Sequence, residues 1–326
     1  MARMRFAITV GSDPYSTENL RTAKQLGCTD IIGRGPILEP GEEVWEFGDL
    51  VRIKSRVEDA GLTLEVMEDG PPIQKIVYGL PGRDEQIENF CKSLRNIAAA
   101  GIKVIKPQHM PPNWTKVIRT SETALTRGGA TSTAFDYELV EDAPPTEYGV
   151  YTDEQVWQGL TCFLTSAVPV AEEVGVNISL HPDDPPISPI QGFARILRSV
   201  EAFDRMLEIV PSDNVGLLFC QGCFAEMGVN IPEAIRHFGK RKKIFFAHFR
   251  DVRGTVPKFQ EVFHDDGDTE MLAAMQAYYE VGFEGPMRPD HGAVMEGDDG
   301  WKLSKIFAIG YMRGLAECVE KGGCGA

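Results

Sequence analysis

No apolar run in the sequence approaches the ~20 residues that a helix needs to cross a bilayer, so no membrane span is expected. Basic residues are also in short supply. Thirty-three Lys and Arg face 48 Asp and Glu, a net charge of −15. A nucleic-acid binder normally shows a basic face, and an anionic membrane surface attracts one. Neither partner is therefore expected. No GxGxxG follows the first β-rich run, which speaks against a dinucleotide-binding sheet. The seven cysteines are odd in number and scattered. Cys220 and Cys223 form a CxxC with no second pair to complete a zinc ribbon, and a disulfide framework is not expected in a chain this long. Reduced cysteines point to the cytoplasm. The N-terminal apolar stretch is short, alternates like a strand and lacks cleavage-site context, so it reads as no signal peptide.

What is present is alternation. Eight short β-rich runs recur: Arg5–Val10, Thr29–Arg34, Leu62–Glu68, Ile102–Pro107, Val176–Pro182, Val215–Cys220, Lys243–Arg250 and Pro286–Asp290. The first seven are mostly apolar rather than strictly alternating, as strands buried on both faces are. The eighth is weak and inferred partly from position. Between them lie helical stretches. Arg83–Ala100 places Ile87, Phe90, Leu94 and Ile97 on one stripe. Thr152–Val174 opens on a Thr-Asp-Glu cap, with Pro169 expected to kink or break it. Asp268–Val281 and Leu303–Val319 follow. Gly27, Gly61, Gly101, Gly175 and Gly282 each stand after a helical stretch and before a strand, where helices stop. Eight strand–helix repeats predict an α/β protein, a (β/α)8 TIM barrel. We expect one barrel domain over residues 1–326, with a long loop at about 107–150 lying over the barrel mouth.

A barrel's active site lies at the C-terminal ends of its strands. There stand His181 on the fifth run, Cys220 on the sixth, His248 on the seventh and Asp290 on the eighth. All four are types that bind divalent metal, and four on successive strand ends predict a metal site. Within HPDDPP, Asp183 or Asp184 could orient His181 or face substrate. Arg250 and Arg288 flank the expected ligands, where a guanidinium suits a bidentate hold on a carboxylate or a structural salt bridge. Glu261 and His264 fall on a loop or short helix after the seventh strand, with His264 a candidate proton carrier. Glu65, Glu68, Lys106 and His109 close strands three and four and could reach substrate. Cys223 reads as structural, aimed away from Cys220. Trp45 and Trp157 read as packing, and Trp114 could cover a ligand from the long loop.

The succession ISLHPDDPP, LLFCQG, FFAHFRDV, FQEVFHDDGD and GPMRPDHG resembles mannonate dehydratases of the UxuA type. GEEVW and RDEQIENFCKSLRNIAAAGI extend the likeness toward the N-terminus. The resemblance implies a xylose-isomerase-like barrel that removes water from D-mannonate to give 2-keto-3-deoxy-D-gluconate. It implies Mn2+ as cofactor, with Fe2+ or Zn2+ compatible with a Cys ligand, on His181, Cys220, His248 and Asp290. It implies a sugar-acid substrate and a homo-oligomer. Departures from the family pattern fall on the substrate side. The first strand is RFAITVGSDP, PQHMPPNW follows strand four, RDV follows His248, and GWKLSKIFAIG stands where a tyrosine-bearing segment is usual.

The chemistry expected is loss of the C2 proton to a metal-stabilised enediolate and departure of the C3 hydroxyl. His264 is nominated as one proton carrier, with Asp184, Asp251, His109 and Lys305 as candidates for the other. Arg250 is placed with the catalytic group, and His109, Arg288, Lys106 and Trp114 with substrate. The same enediolate would serve a divergent lyase, isomerase or epimerase. A barrel that keeps its metal without catalysis is a third reading.

Overall fold

The structure, a computed structural model, describes residues 4–322 apart from 12, 111–117 and 299–300. Trp114 lies outside the described residues. In chain order the strands are β1 (Arg5–Phe6), β2 (Asp30–Arg34), β3 (Thr63–Glu68), β4 (Val104–Ile105), β5 (Ser121–Leu125), β6 (Thr131–Asp136), β7 (Asn177–Leu180), β8 (Val215–Cys220), β9 (Ile244–Phe249), β10 (Val252–Thr255), β11 (Lys258–Glu261) and β12 (Pro286–Pro289).

Eight of them form one sheet in the order β1-β12-β9-β8-β7-β4-β3-β2. Every neighbouring pair is parallel. A parallel bridge from Ala7 to Asp30 joins β1 to β2 and closes the ring. Each of the eight predicted runs supplies one of these strands, so the barrel expectation holds. The helices between them cover the outside of the ring. The five stop glycines all adopt positive φ, between 66° and 74°, a region that only glycine enters without steric cost.

Three differences from the sequence reading concern local structure. The helix Asp153–Val174 runs unbroken through Pro169. Proline costs it one backbone bond, but Leu160, Phe163, Leu164, Ala167, Val168 and Ala171 are all buried along it, and Thr152 and Gln155 close its start in a capping box. Packing outweighs the lost bond. The stretch expected to be a long loop carries the antiparallel pair β5 and β6. The segment after His248, expected to be a loop or short helix, is the hairpin of β10 and β11. β11 pairs with β6, which makes one four-stranded sheet of both insertions, in the order β10-β11-β6-β5.

The period-2 side-chain alternation of the barrel strands positions the site. Ala7, Ile32, Val66, Val104, Leu218 and Phe246 form a cluster of their own, apart from the larger core that includes Ile31, Met67, Ile105, Leu217, Phe219 and Ala247. Those six line the barrel interior. Two residues further along each strand, on the same face, come Thr9, Arg34, Glu68, Lys106, Cys220 and His248. The apolar residues plug the barrel, and the polar ones above them make its mouth.

Candidate active site at the barrel mouth

A cavity of about 430 Å³ opens at this mouth. His181, His248 and Asp290 line it, together with Arg34, Glu68, Lys106, Arg119, Asp184, Arg195, Arg288, His291 and Trp301.

One ligand atom each from His181, Cys220 and His248 lie within 4.8 Å of one another, and all three side chains are buried. The His181 Nδ1 meets the carbonyl oxygen of Pro182. Donation there fixes the tautomer and leaves Nε2 as the donor to a metal. Burial alone would raise the Cys220 thiol. The neighbouring Cys223 thiol, the Arg250 guanidinium and His181 outweigh it and hold Cys220 well below the usual range, toward the thiolate that binds metal. Asp290 stands beside this trio, its Oδ2 3.3 Å from His248 Nδ1 and its Oδ1 3.3 Å from Arg288 Nη2.

Two demands compete at His248. Arg288 Nε donates to its Nε2 at 3.1 Å, which asks for an unprotonated nitrogen. Burial lowers the imidazole, yet Asp290 and Glu68 push it up to about 10. Its buried Nδ1 makes no hydrogen bond within the described structure. A divalent cation fits both demands, because it supplies the positive charge while the ring stays neutral. The nitrogen, sulfur and carboxylate donors accept Zn2+, Fe2+ or Mn2+.

An ionic network surrounds the trio. Arg250 is fully buried and reaches Glu226 at 3.0 Å, Asp184 at 3.1 Å, Asp290 at 3.5 Å and Glu261 at 3.6 Å. Its approach is possible because residue 222 is glycine. A Cβ there would lie 2.6 Å from the guanidinium carbon. Arg119, just ahead of β5, grips Asp184 through two bonds of 2.7 and 3.0 Å and Glu261 at 2.7 Å. It ties the four-stranded sheet to the barrel mouth.

His291 was not singled out from sequence, although it stands next to Asp290 in RPDH. Its Nδ1 lies 2.8 Å from Glu261 Oε1 and its Nε2 3.9 Å from Asp290 Oδ2. Burial would lower this imidazole, but Asp290 and Glu261 push it up to about 9. The Trp301 ring stacks on it at 5.5 Å and 26°.

Several expected participants sit elsewhere. His264 is buried outside the cavity lining and packs behind Gly292, where a Cβ would lie 3.2 Å from its ring. Neither ring nitrogen has a hydrogen-bond partner in the described structure, and burial pushes it down to about 4. A neutral imidazole sealed from the cavity cannot exchange protons with a substrate there. Asp251 also turns away. Its two oxygens accept from the backbone N–H groups of Val252 and Thr269, each at 2.9 Å. That makes it the fastener of the turn after His248. His109 is buried 3.7 Å from Asp183 and does not line the cavity. Asp183 itself accepts from the Leu197 N–H at 2.8 Å, so of the two aspartates in HPDDPP only Asp184 faces the cavity. Arg250 lies behind the cavity wall, where it positions Asp184 and Asp290. Glu65 turns outward to Arg5 and Lys103, whereas Glu68 faces inward to Arg288 at 2.9 Å. Lys106 and Arg288 both line the cavity. Cys223, expected to aim elsewhere, has its Sγ 3.3 Å from that of Cys220. Cys220 caps the helix Gln221–Glu226 and Cys223 stands in its first turn, which puts both on one side.

Comparisons with known proteins identify the family and the fold. The family model described as D-mannonate dehydratase (UxuA) matches residues 4–148 and 146–324. The mannonate dehydratase of Thermotoga maritima is 35% identical, over 95% of this chain and 96% of its own. The crystal structure of mannonate dehydratase from Streptococcus suis serotype 2 superposes with a TM-score of 0.87 at 30% identity, covering 99% of this chain and 95% of that one. A structure of L-ribulose 3-epimerase shares the fold, with a TM-score of 0.61 at 16% identity over 98% of this chain and 96% of that one.

Proposed function

The chain belongs to the D-mannonate dehydratase family, and from that premise we propose that it removes water from D-mannonate to give 2-keto-3-deoxy-D-gluconate. The observation that carries this reading is the meeting of His181, Cys220 and His248, with Asp290 beside them, at the ends of consecutive barrel strands above a cation-rich cavity. These four residues would hold the divalent cation, which we read as Mn2+, with Fe2+ or Zn2+ also suited to the thiolate. When bound, the cation supplies charge stabilisation for the enediolate that forms as the C2 proton leaves.

The substrate class follows from charge. Among the described lining residues, Arg34, Lys106, Arg119, Arg195 and Arg288 face Glu68, Asp69, Asp184 and Asp290. A divalent cation would leave this lining with a clear positive excess, which suits a sugar acid rather than a neutral sugar. We assign Arg288 and Lys106 to the substrate carboxylate and hydroxyls, since both reach the cavity beside the metal ligands.

His291 takes the proton-transfer role that the sequence suggested for His264. Its ring lines the cavity, Glu261 fixes Nδ1 and Trp301 fixes the ring plane. That leaves Nε2 to exchange a proton with substrate. Asp184, clamped by Arg119, forms the opposite polar wall. A setting in the cytoplasm suits the six described cysteines, all of them free.

The test is turnover by chelator-stripped protein restored with Mn2+ and offered D-mannonate, epimeric aldonates and keto-sugars. A chromogenic reaction reports keto-deoxy acid, and NMR reports the remaining sugars. The reading expects keto-deoxy acid from D-mannonate, lost in His181→Ala. Conversion of a different sugar with D-mannonate untouched would overturn it.

A further inference from the structure

Cys223 has no part in the dehydration chemistry, yet its position relative to Cys220 is specific. The two Sγ atoms are 3.3 Å apart, and both side chains are fully buried. Cys220 ends β8 in an extended conformation, with φ −81° and ψ 100°, and caps the helix that carries Cys223 three residues on. A disulfide needs its sulfurs at about 2.05 Å, so closure asks for an approach of roughly 1.2 Å. The remaining five cysteines, at positions 28, 91, 162, 318 and 324, are scattered along the chain.

We propose that the Cys220–Cys223 pair is a reversible oxidation site, at which hydrogen peroxide converts the metal-ligating thiol and its neighbour into a disulfide that cannot hold the cation. The Cys220 sulfur attacks one peroxide oxygen and the O–O bond breaks. Cys220 becomes a sulfenic acid, and the other oxygen leaves with the thiol proton as water. The Cys223 sulfur then attacks the sulfenic sulfur, the S–O bond breaks, and the hydroxyl departs with the Cys223 proton as a second water. Overall two thiols are oxidised and one peroxide is reduced to two waters.

Access runs through the barrel mouth. The Cys220 sulfur shares its cluster with His181 and His248, which line the cavity. The sulfur itself is buried behind these two rings, so a peroxide reaches it from that side only as the side chains around it move. Arg250 Nη2 donates to Cys223 Sγ at 3.3 Å, which holds the second sulfur in place beside the first. Disulfide formation stands on the sulfur geometry alone. Competition with the cation rests on the ligand set proposed above, since a disulfide sulfur no longer offers a thiolate.

Metal-stripped protein is treated with one equivalent of hydrogen peroxide, then alkylated and mapped by mass spectrometry. The expected result is a loss of 2 Da on the peptide bearing Cys220 and Cys223, a fall from seven alkylatable thiols by two, and full recovery with dithiothreitol. The Cys223→Ser variant should show no such loss and should trap a sulfenic acid at Cys220 with dimedone instead. Retention of both thiols in the wild type, or a disulfide mapped to other cysteines, would overturn the proposal. Preloading with Mn2+ or Zn2+ should slow the oxidation at least tenfold. If the disulfide forms equally fast with the cation present, the competition and Cys220 as its ligand fail, while the oxidation site itself stands.

Discussion

The Nδ1 of His291 lies 2.8 Å from Oε1 of Glu261, joining the residue after Asp290 to the last residue of β11. The barrel provides the imidazole and the inserted hairpin provides the carboxylate that orients it. Replacing His291 by Asn should lower kcat by about 100-fold or more, the usual worth of a positioned proton carrier. KM should change far less. Glu261→Gln keeps the shape but removes the charge, so it should lower kcat by a smaller factor and displace the pH–rate profile. Steady-state kinetics across pH separate the two variants. A kcat left within twofold by His291→Asn would remove the residue from the chemistry.

Arg250 is buried among Asp184, Glu226, Glu261 and Asp290. Arg250→Met leaves these carboxylates facing one another without their shared cation. Breaking a buried ion pair from one side costs roughly 3–5 kcal/mol. Denaturant unfolding should show a loss of that order. A loss below about 1 kcal/mol, the range of exposed pairs, would mean that the network relaxes without its centre.

Asp251 predicts a pH dependence of stability separate from catalysis. Burial raises its carboxyl from the usual 3.8 to about 6, although the N–H groups of Thr269 and Val252 oppose the rise. The folded chain therefore keeps a proton there that the unfolded chain has already released between these two values. That contribution is fully present below about pH 4 and is lost as pH rises through 6. Its size is on the order of 3 kcal/mol. Asp251→Asn should flatten the stability profile over this window. An unchanged slope in the variant would place the titration on another group.

Cation removal should destabilise the fold as well as silence it. A ligand that binds only the native state at 100 times its Kd contributes about 2.7 kcal/mol. Chelation should lower Tm by several degrees, and restored Mn2+ should recover it. In Cys220→Ser the recovery should need far more cation. Equal Tm values with and without chelator would argue against a cation at this trio.

The barrel was legible because its strands announce themselves. VGLLFC is buried at every position, and its predicted and observed limits coincide. The grouping of His181, Cys220 and His248 with Asp290 beside them was legible from the same register, since side chains at strand ends need no tertiary information beyond strand order. The capping sheet was not legible. β5 is the run SETAL, half-exposed to exposed throughout, and an edge strand over a cavity has no apolar face to give it a period. Nor could spacing separate His264 from His291. Each stands next to an aspartate, Asp265 or Asp290, and only the fold reveals that Gly292 lets one pack into the interior while Glu261 and Trp301 hold the other at the cavity. Cys223 was misjudged because its direction depends on where the helix after Cys220 begins.

The most direct measurement is a stoichiometric titration. Chelator-stripped chain is supplied with Mn2+ in fractions of an equivalent while keto-deoxy acid formation from D-mannonate is followed. Activity is predicted to rise linearly, to break at one cation per chain, and to be absent in His181→Ala. A chain that takes up its equivalent of cation and leaves D-mannonate unchanged would contradict the assignment of this site to mannonate dehydration.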